Sequence, residues 1–206
     1  MKRARFAIAL VLGVSASPAF AEGDATRDVA AAAPSQGRML ASRADDRFAF
    51  DAQTALRAAF MVATRPELAP PGHYRALLQA SALEAITYAR VPAPMIADRD
   101  VATRVVIERD GERARLRWRE ANEHAPPLAP GVVRIARSRG VIELIPDGPC
   151  ACRVRHEAEV DPGESLPLWL ARSFFAREME AQRDQIRALG ERLAAESGTC
   201  PRAGVK

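Results

Sequence analysis

The stretch Val160-Asp161-Pro162-Gly163-Glu164-Ser165-Leu166-Pro167-Leu168-Trp169-Leu170 constrains this chain more than any other. It joins an alternating run, Cys152 to Val160, to the longest helical pattern in the sequence, roughly Leu166 to Ala195. Asp-Pro-Gly is turn chemistry: proline fixes φ, glycine supplies a left-handed corner, and aspartate can accept a bond from the backbone two residues on. A strand therefore ends here, the chain turns, and a long helix begins.

Cys152, Val154, His156, Ala158 and Val160 share one face of that strand, and Arg153, Arg155, Glu157, Glu159 and Asp161 share the other. Period two with one mostly apolar face and one charged face marks a half-wet sheet. The helix carries Leu170, Phe174, Met179, Ile186, Leu189 and Leu193 as one apolar stripe against Arg, Glu, Asp and Gln. The stripe and the apolar strand face need each other. They meet in a filled core, or they leave a gap that holds an apolar ligand; periodicity is the same in both cases.

Lys2, Arg3 and Arg5 precede an apolar run from Phe6 to Val14, and Ala19-Phe20-Ala21 follows. This reads as a secretory signal peptide, residues 1–21, cut after Ala21, and it predicts a periplasmic protein. The apolar run is far shorter than the ~20 residues that span a bilayer. Removing 21 of 206 residues leaves 185, enough for one domain with its own core. The leader takes three basic residues with it, so 30 basic residues become 27 against 26 acidic ones, a balance of +1. The basic pI of the full chain is thus no argument for nucleic acid, and no basic block with interleaved aromatics is present.

Residues 22–46 are small, polar and alanine-rich without sustained periodicity, and read as a flexible segment. Phe48 and Phe50 suggest a short strand. Asp51 is an N-cap for a helix from about Ala52 to Ala63, broken by Pro66, Pro70, Pro71 and Gly72. His73 to Ser81 is ambiguous between a helical turn and an irregular strand. Strands are predicted for Leu83 to Val91 and Val101 to Arg109. Asp110-Gly111 makes a hairpin to a strand in which Ala114, Leu116 and Trp118 alternate with four arginines. Asn122 to Gly131 is a proline-rich loop, followed by strands at Val132 to Ala136, Gly140 to Ile145 and Cys152 to Val160. Short loops between sequential strands make the sheet antiparallel. The expected class is α+β, a curved antiparallel sheet gripping one long C-terminal helix.

Cys150, Cys152 and Cys200 would meet oxidising conditions after export. Cys200 is expected to pair with Cys150 or Cys152. A Cys150–Cys152 bond is the poorer choice, because residues i and i+2 on a strand lie ~6.5 Å apart, near the limit for a bridge.

Two stretches carry a family resemblance. Pro92-Ala93-Pro94-Met95-Ile96-Ala97-Asp98-Arg99-Asp100-Val101 is similar to a P-W-P-x-x-x-R-D-x pattern that precedes a strand. Val160 to Leu170 is similar to an A-D-P-G-G-x-x-P-x-W-L entry to a last helix. Between them, Pro126-Pro127 and Gly131-Val132-Val133-Arg134 match a P-P…G-x-V-R spacing. On these residues the chain, over about Phe48 to Leu193, resembles START-type lipid-binding domains, the family related to steroidogenic acute regulatory protein. Ala93 replaces the usual Trp, Glu164 the second Gly, and Arg172 stands near a frequent Asn. The resemblance implies a helix-grip domain over residues 47–196, with residues 197–206 as a tail. It implies an internal apolar tunnel for one lipid or other hydrophobic molecule, the C-terminal helix as lid, transient membrane contact, no cofactor and no catalysis. A cyclase or aromatase relative on the same fold, and an interaction module with a filled cavity, are the alternatives.

The candidate ligand-binding residues are Trp118 and His156 on the strands and Phe174, Phe175 and Met179 on the helix. Arg99 and Arg134 complete the set, although they read first as structural partners of Asp98 and Asp100. A histidine on an apolar face reads first as a core residue with its polar atoms satisfied, and Trp169 as a staple at the helix entry. No G-x-S-x-G, P-loop or H-E-x-x-H motif is present. Cys152 and His156 share a face, but lie ~13 Å apart along a strand, too far for one zinc ion or a nucleophile–base pair.

Overall fold

The computed structural model describes residues 38–93, 96–163, 166–198 and 200. The expected leader, residues 1–21, lies outside them, as do Pro94, Met95, Glu164 and Ser165 of the two resemblance stretches.

The chain runs β1 (Leu40–Phe48), α1 (Ala52–Thr64), a 3-10 turn (Pro66–Leu68), β2 (Tyr74–Ala80), β3 (Glu84–Val91), β4 (Asp98–Asp110) and β5 (Arg113–Glu120). A second 3-10 turn (Asn122–His124) leads to β6 (Val132–Arg134), β7 (Ser138–Pro146), β8 (Cys152–Val160) and α2 (Leu168–Ser197). The strands form one curved sheet in the order β1-β8-β7-β5-β4-β3-β2, with β6 beside β4. Sheet and long helix make the α+β helix grip that the sequence predicts.

The local chemistry sets the element ends. Asp51 caps α1: its Oδ1 accepts from the Thr54 N–H at 2.9 Å and its Oδ2 from the Thr54 hydroxyl at 2.7 Å. Asp161 does what its turn sequence calls for, accepting from the Gly163 N–H at 3.0 Å and closing the corner between β8 and α2. β8 keeps its expected bounds and alternates in burial along its length.

Three expectations are corrected and one open reading is settled. The first strand begins at Leu40, inside the segment read as flexible, and pairs antiparallel with β8 from Leu40↔Val160 to Phe48↔Cys152. Its inward residues between the two ends are Ser42, Ala44 and Asp46, too small or polar to advertise a strand. The ambiguous stretch after His73 is edge strand β2, with an irregularity between Leu77 and Gln79. β6 pairs with β4 in parallel, Asp98↔Val132 to Asp100↔Arg134, because after β5 the loop returns the chain alongside the first residues of β4, ahead of where β5 pairs. Trp169 staples nothing: it is 73% exposed.

The main core lies where α1 packs between the sheet and the C-terminal part of α2. Ala52, Ala55, Ala58 and Ala59 give α1 a flat face, and Leu116, Ile142, Leu144, Ile186, Leu189 and Leu193 meet it and its neighbours. Of the six buried residues of α2, five lie from Ile186 onward. Only Ala171 is buried in the preceding part. A second, smaller cluster gathers Leu40, Leu166 and Ala171 at the other end of the helix.

Cys200 pairs with Cys150, with a Cα–Cα distance of 5.3 Å, and Cys152 is a free, buried thiol. The bridge ties the end of α2 to the turn before β8 and closes a separation of 50 residues. Replacing both Cys150 and Cys200 by Ser is expected to lower stability by about 2–4 kcal/mol, measured by urea unfolding. A matching loss on reducing the unmodified protein confirms the source.

Candidate functional site

A cavity of about 500 Å³ separates the first turns of α2 from the sheet. It lies between the two apolar clusters. Leu170, Phe174, Phe175 and Met179 form its helix wall, and Ala89, Val91, Val101 and Trp118 its sheet wall. Leu40, Ile96, Val160 and Leu166 close one end. These helix residues, apart from Ala171, are only half-buried, which is how apolar side chains stand over unfilled space.

The candidate residues divide by position. Trp118, Phe174, Phe175, Met179 and Arg99 line the cavity. Trp118 fits because its strand partner is Gly140; a Cβ there would collide with the indole and with the Glu157 carbonyl. Arg99 is 6% exposed, and Nη1 donates to the Ala97 carbonyl. Burial lowers its pKa from the usual guanidinium value, with Asp98 opposing.

Arg134 does not join this set. It sits on the other side of β4, where Nε and Nη2 hold the two Asp100 oxygens at 3.1 and 2.7 Å. The Tyr88 hydroxyl donates to the same carboxylate at 3.0 Å. The bond to Asp100 raises the Arg134 pKa, and burial raises that of Tyr88. Arg134 thus pins the crossing segment to β3 and β4, the pairing role set beside its ligand role in the sequence.

His156 points inward but lies beneath Trp118, its ring edge-on at 5.5 Å between centroids. It is 3% exposed, a core residue as expected, but its Nε2 has no hydrogen-bond partner. Nearby, Asp46 of β1 takes Arg187 at 3.0 Å and Arg183 at 3.4 Å from α2. Burial, with Arg183 adding, pushes the His156 pKa down to about 4, against the pull of Asp46. Cys152 is pushed up to about 12, mainly by burial, which keeps the thiol protonated and unreactive.

Sequence reasoning missed the residues that frame the opening. His73 Nε2 lies 3.9 Å from Glu178 Oε1, and both line the cavity. Gln185 Nε2 donates to the Leu68 carbonyl at 2.6 Å, tying α2 to the turn after α1. Arg75 enters from β2. The signal was available only once the stretch after His73 is read as a strand. Among the described residues no group of three or more His, Cys, Asp and Glu is placed to hold a metal ion.

A wider groove of about 750 Å³ crosses the other face of the sheet. Its lining mixes arginines and glutamates, several of them paired, as in Arg117–Glu108 at 2.8 Å and Arg139–Glu159 at 2.6 Å. Charged side chains make up a larger part of its lining than of the cavity under α2.

No protein-family model matches the chain. Over 99 residues it is 31% identical to an uncharacterized protein of Pseudomonas aeruginosa, covering 48% of this chain; the chain spans about half the length of that relative, 49%. The fold is similar to the crystal structure of a STAR-related lipid transfer protein from Xanthomonas axonopodis, with 25% identity, 73% of this chain and 85% of that one covered, and a TM-score of 0.60. Human STARD10 is similar at 15% identity, 73% and 62% coverage and a TM-score of 0.58. The Zhui aromatase/cyclase from Streptomyces sp. R1128 is similar at 11% identity, 81% and 98% coverage and a TM-score of 0.55. At these identities the last two are likenesses of fold.

His156 carries a pH prediction. Its folded pKa of about 4 lies below its ordinary 6.5, so the unfolded chain takes up the proton first. The neutral imidazole costs nothing above about pH 6.5, and stability then falls as the pH drops from 6.5 toward 4. The 2.5-unit difference corresponds to about 3 kcal/mol across that window. Urea unfolding of His156→Leu at several pH values is expected to show a correspondingly shallower decline.

Proposed function

We propose, from the premise that this chain carries a START-type domain, that it is an exported carrier or sequestering protein holding one lipid or similar hydrophobic molecule beneath α2. The fold is that of a hydrophobic-ligand-binding domain. The observation that carries the reading is the contrast along α2. From Ile186 onward its apolar residues are buried in the core, whereas Phe174, Phe175 and Met179 face a cavity of about 500 Å³. A module with a filled interior would bury both parts alike.

Binding without covalent chemistry suits the polar groups in the wall. The imidazole and carboxylate that line the cavity together, His73 and Glu178, are 3.9 Å apart, beyond hydrogen-bond reach. His156 lies under Trp118, off the cavity wall. The leader-like residues 1–21 and the Cys150–Cys200 bridge support export to an oxidising compartment. In this reading the first turns of α2 lift to admit ligand while the last turns stay docked. Lipid transfer proteins and an aromatase/cyclase both occur among the similar folds, and the carrier reading rests on the wall chemistry rather than on their names.

Native mass spectrometry of the protein purified from a periplasm is expected to show one adduct of a few hundred daltons that organic extraction removes. Ala89→Trp, which fills the sheet wall, is expected to remain folded by circular dichroism and to lose the adduct. A bare polypeptide mass for the unmodified protein, with no uptake of offered fatty acids, sterols or phospholipids, overturns the carrier reading.

A further inference from the structure

The cavity wall contains a cation whose known bonds are all to neutral groups. Arg75 stands on edge strand β2 opposite Ala89, half-buried, and both residues line the cavity. Its Nη1 donates to the carbonyls of Val62 and Arg65 at the end of α1. No carboxylate among the described residues pairs with it, and burial alone lowers its pKa. The two carboxylates of the same wall are turned to other groups. Glu159 is held by Arg139 at 2.6 Å, and Glu178 faces His73.

A guanidinium has five N–H donors in a fixed fork, and one nitrogen serves both carbonyls here. A half-buried cation with neutral partners is costly unless an anion completes it. Planar, two-point recognition of a carboxylate is the bond such a fork makes best. The size of the cavity limits the rest of the ligand. At roughly 30 Å³ per heavy atom of liquid, 500 Å³ holds about 17 heavy atoms. That accommodates a single acyl chain of about fourteen to sixteen carbons with its carboxylate.

We infer that Arg75 is an anion-binding residue that receives the carboxylate of a single-chain fatty acid, whose tail lies between Phe174, Phe175 and Trp118. The inference rests on the reading of the cavity as a lipid site and goes further by naming the head group and the chain number. The competing role for Arg75 is to cap the end of α1 through the two carbonyls, and the test separates the two.

The experiment compares tetradecanoic acid with 1-tetradecanol, by titration calorimetry at pH 8, on delipidated protein and on Arg75→Gln. The unmodified protein is expected to bind the acid about tenfold or more tightly than the alcohol, and Arg75→Gln to lose that preference while keeping its affinity for the alcohol within about threefold. An equal loss for both ligands in Arg75→Gln identifies a capping role and overturns the inference. So does an unmodified protein that binds both ligands alike, which needs no variant and leaves the lipid cavity standing. Binding of neither ligand by the unmodified protein overturns the cavity reading and the inference together.

Discussion

The contact between α1 and the last turns of α2 is the constraint on which the rest of the molecule depends. α1 offers alanines toward its neighbours, so the two helices and the sheet approach closely. Gly190 shows how closely, since a Cβ there would fall inside the Phe50 ring, and Phe50 is fully buried. Asp46 with Arg183 and Arg187, the Arg187 guanidinium 5.3 Å over the Phe48 ring, and the Cys150–Cys200 bridge fix the same end of α2 to the sheet. With one end so fixed, the other need not be packed to stay in place. It can stand over a void whose opening is guarded by two polar contacts, His73–Glu178 and Gln185 to Leu68.

This division of labour explains the mixed chemistry of the helix. Its apolar stripe is continuous in sequence, yet it serves a core in one half and a cavity in the other. The difference arises from what faces it. α1 fills the space opposite Ile186, Leu189 and Leu193. Among the described residues no helix fills the space opposite Phe174 and Met179, where Ala89, Val91 and Val101 leave the sheet shallow. The charges follow a similar logic. On the open face of the sheet, arginines and carboxylates pair with one another. Arg75 instead stands in the cavity wall and donates to main-chain carbonyls.

Much of this was legible in the chain, for reasons that are local. β8, the Asp161 turn, the Asp51 cap and the Asp110-Gly111 hairpin are each specified within a few residues, and each formed as expected. Parity on the strands and the helix stripe point Trp118, Phe174 and Met179 to the side where the cavity lies; Arg99, read first as a partner of its carboxylate neighbours, lines it too. β1 escaped notice because its partner is more than a hundred residues away and its inward side chains are small or charged. Arg134 pairs with Asp100, the role the sequence suggested first, although the parallel return of β6 that brings them together has no periodic signature. The empty volume itself had no sequence signal: a stripe over a cavity and a stripe over a core read alike.

The central claim, that the space under α2 is a ligand site, is tested most directly through Trp118. The chain has two tryptophans, and Trp169 is exposed at the start of α2, so Trp169→Phe leaves Trp118 as the sole indole reporter in the cavity wall. A fatty acid brominated along its chain quenches only fluorophores it touches. A ligand held under α2 gives quenching that saturates at one equivalent and is reversed by excess unbrominated acid. Emission that stays unchanged to many equivalents, from protein known to be folded and stripped of lipid, would contradict it.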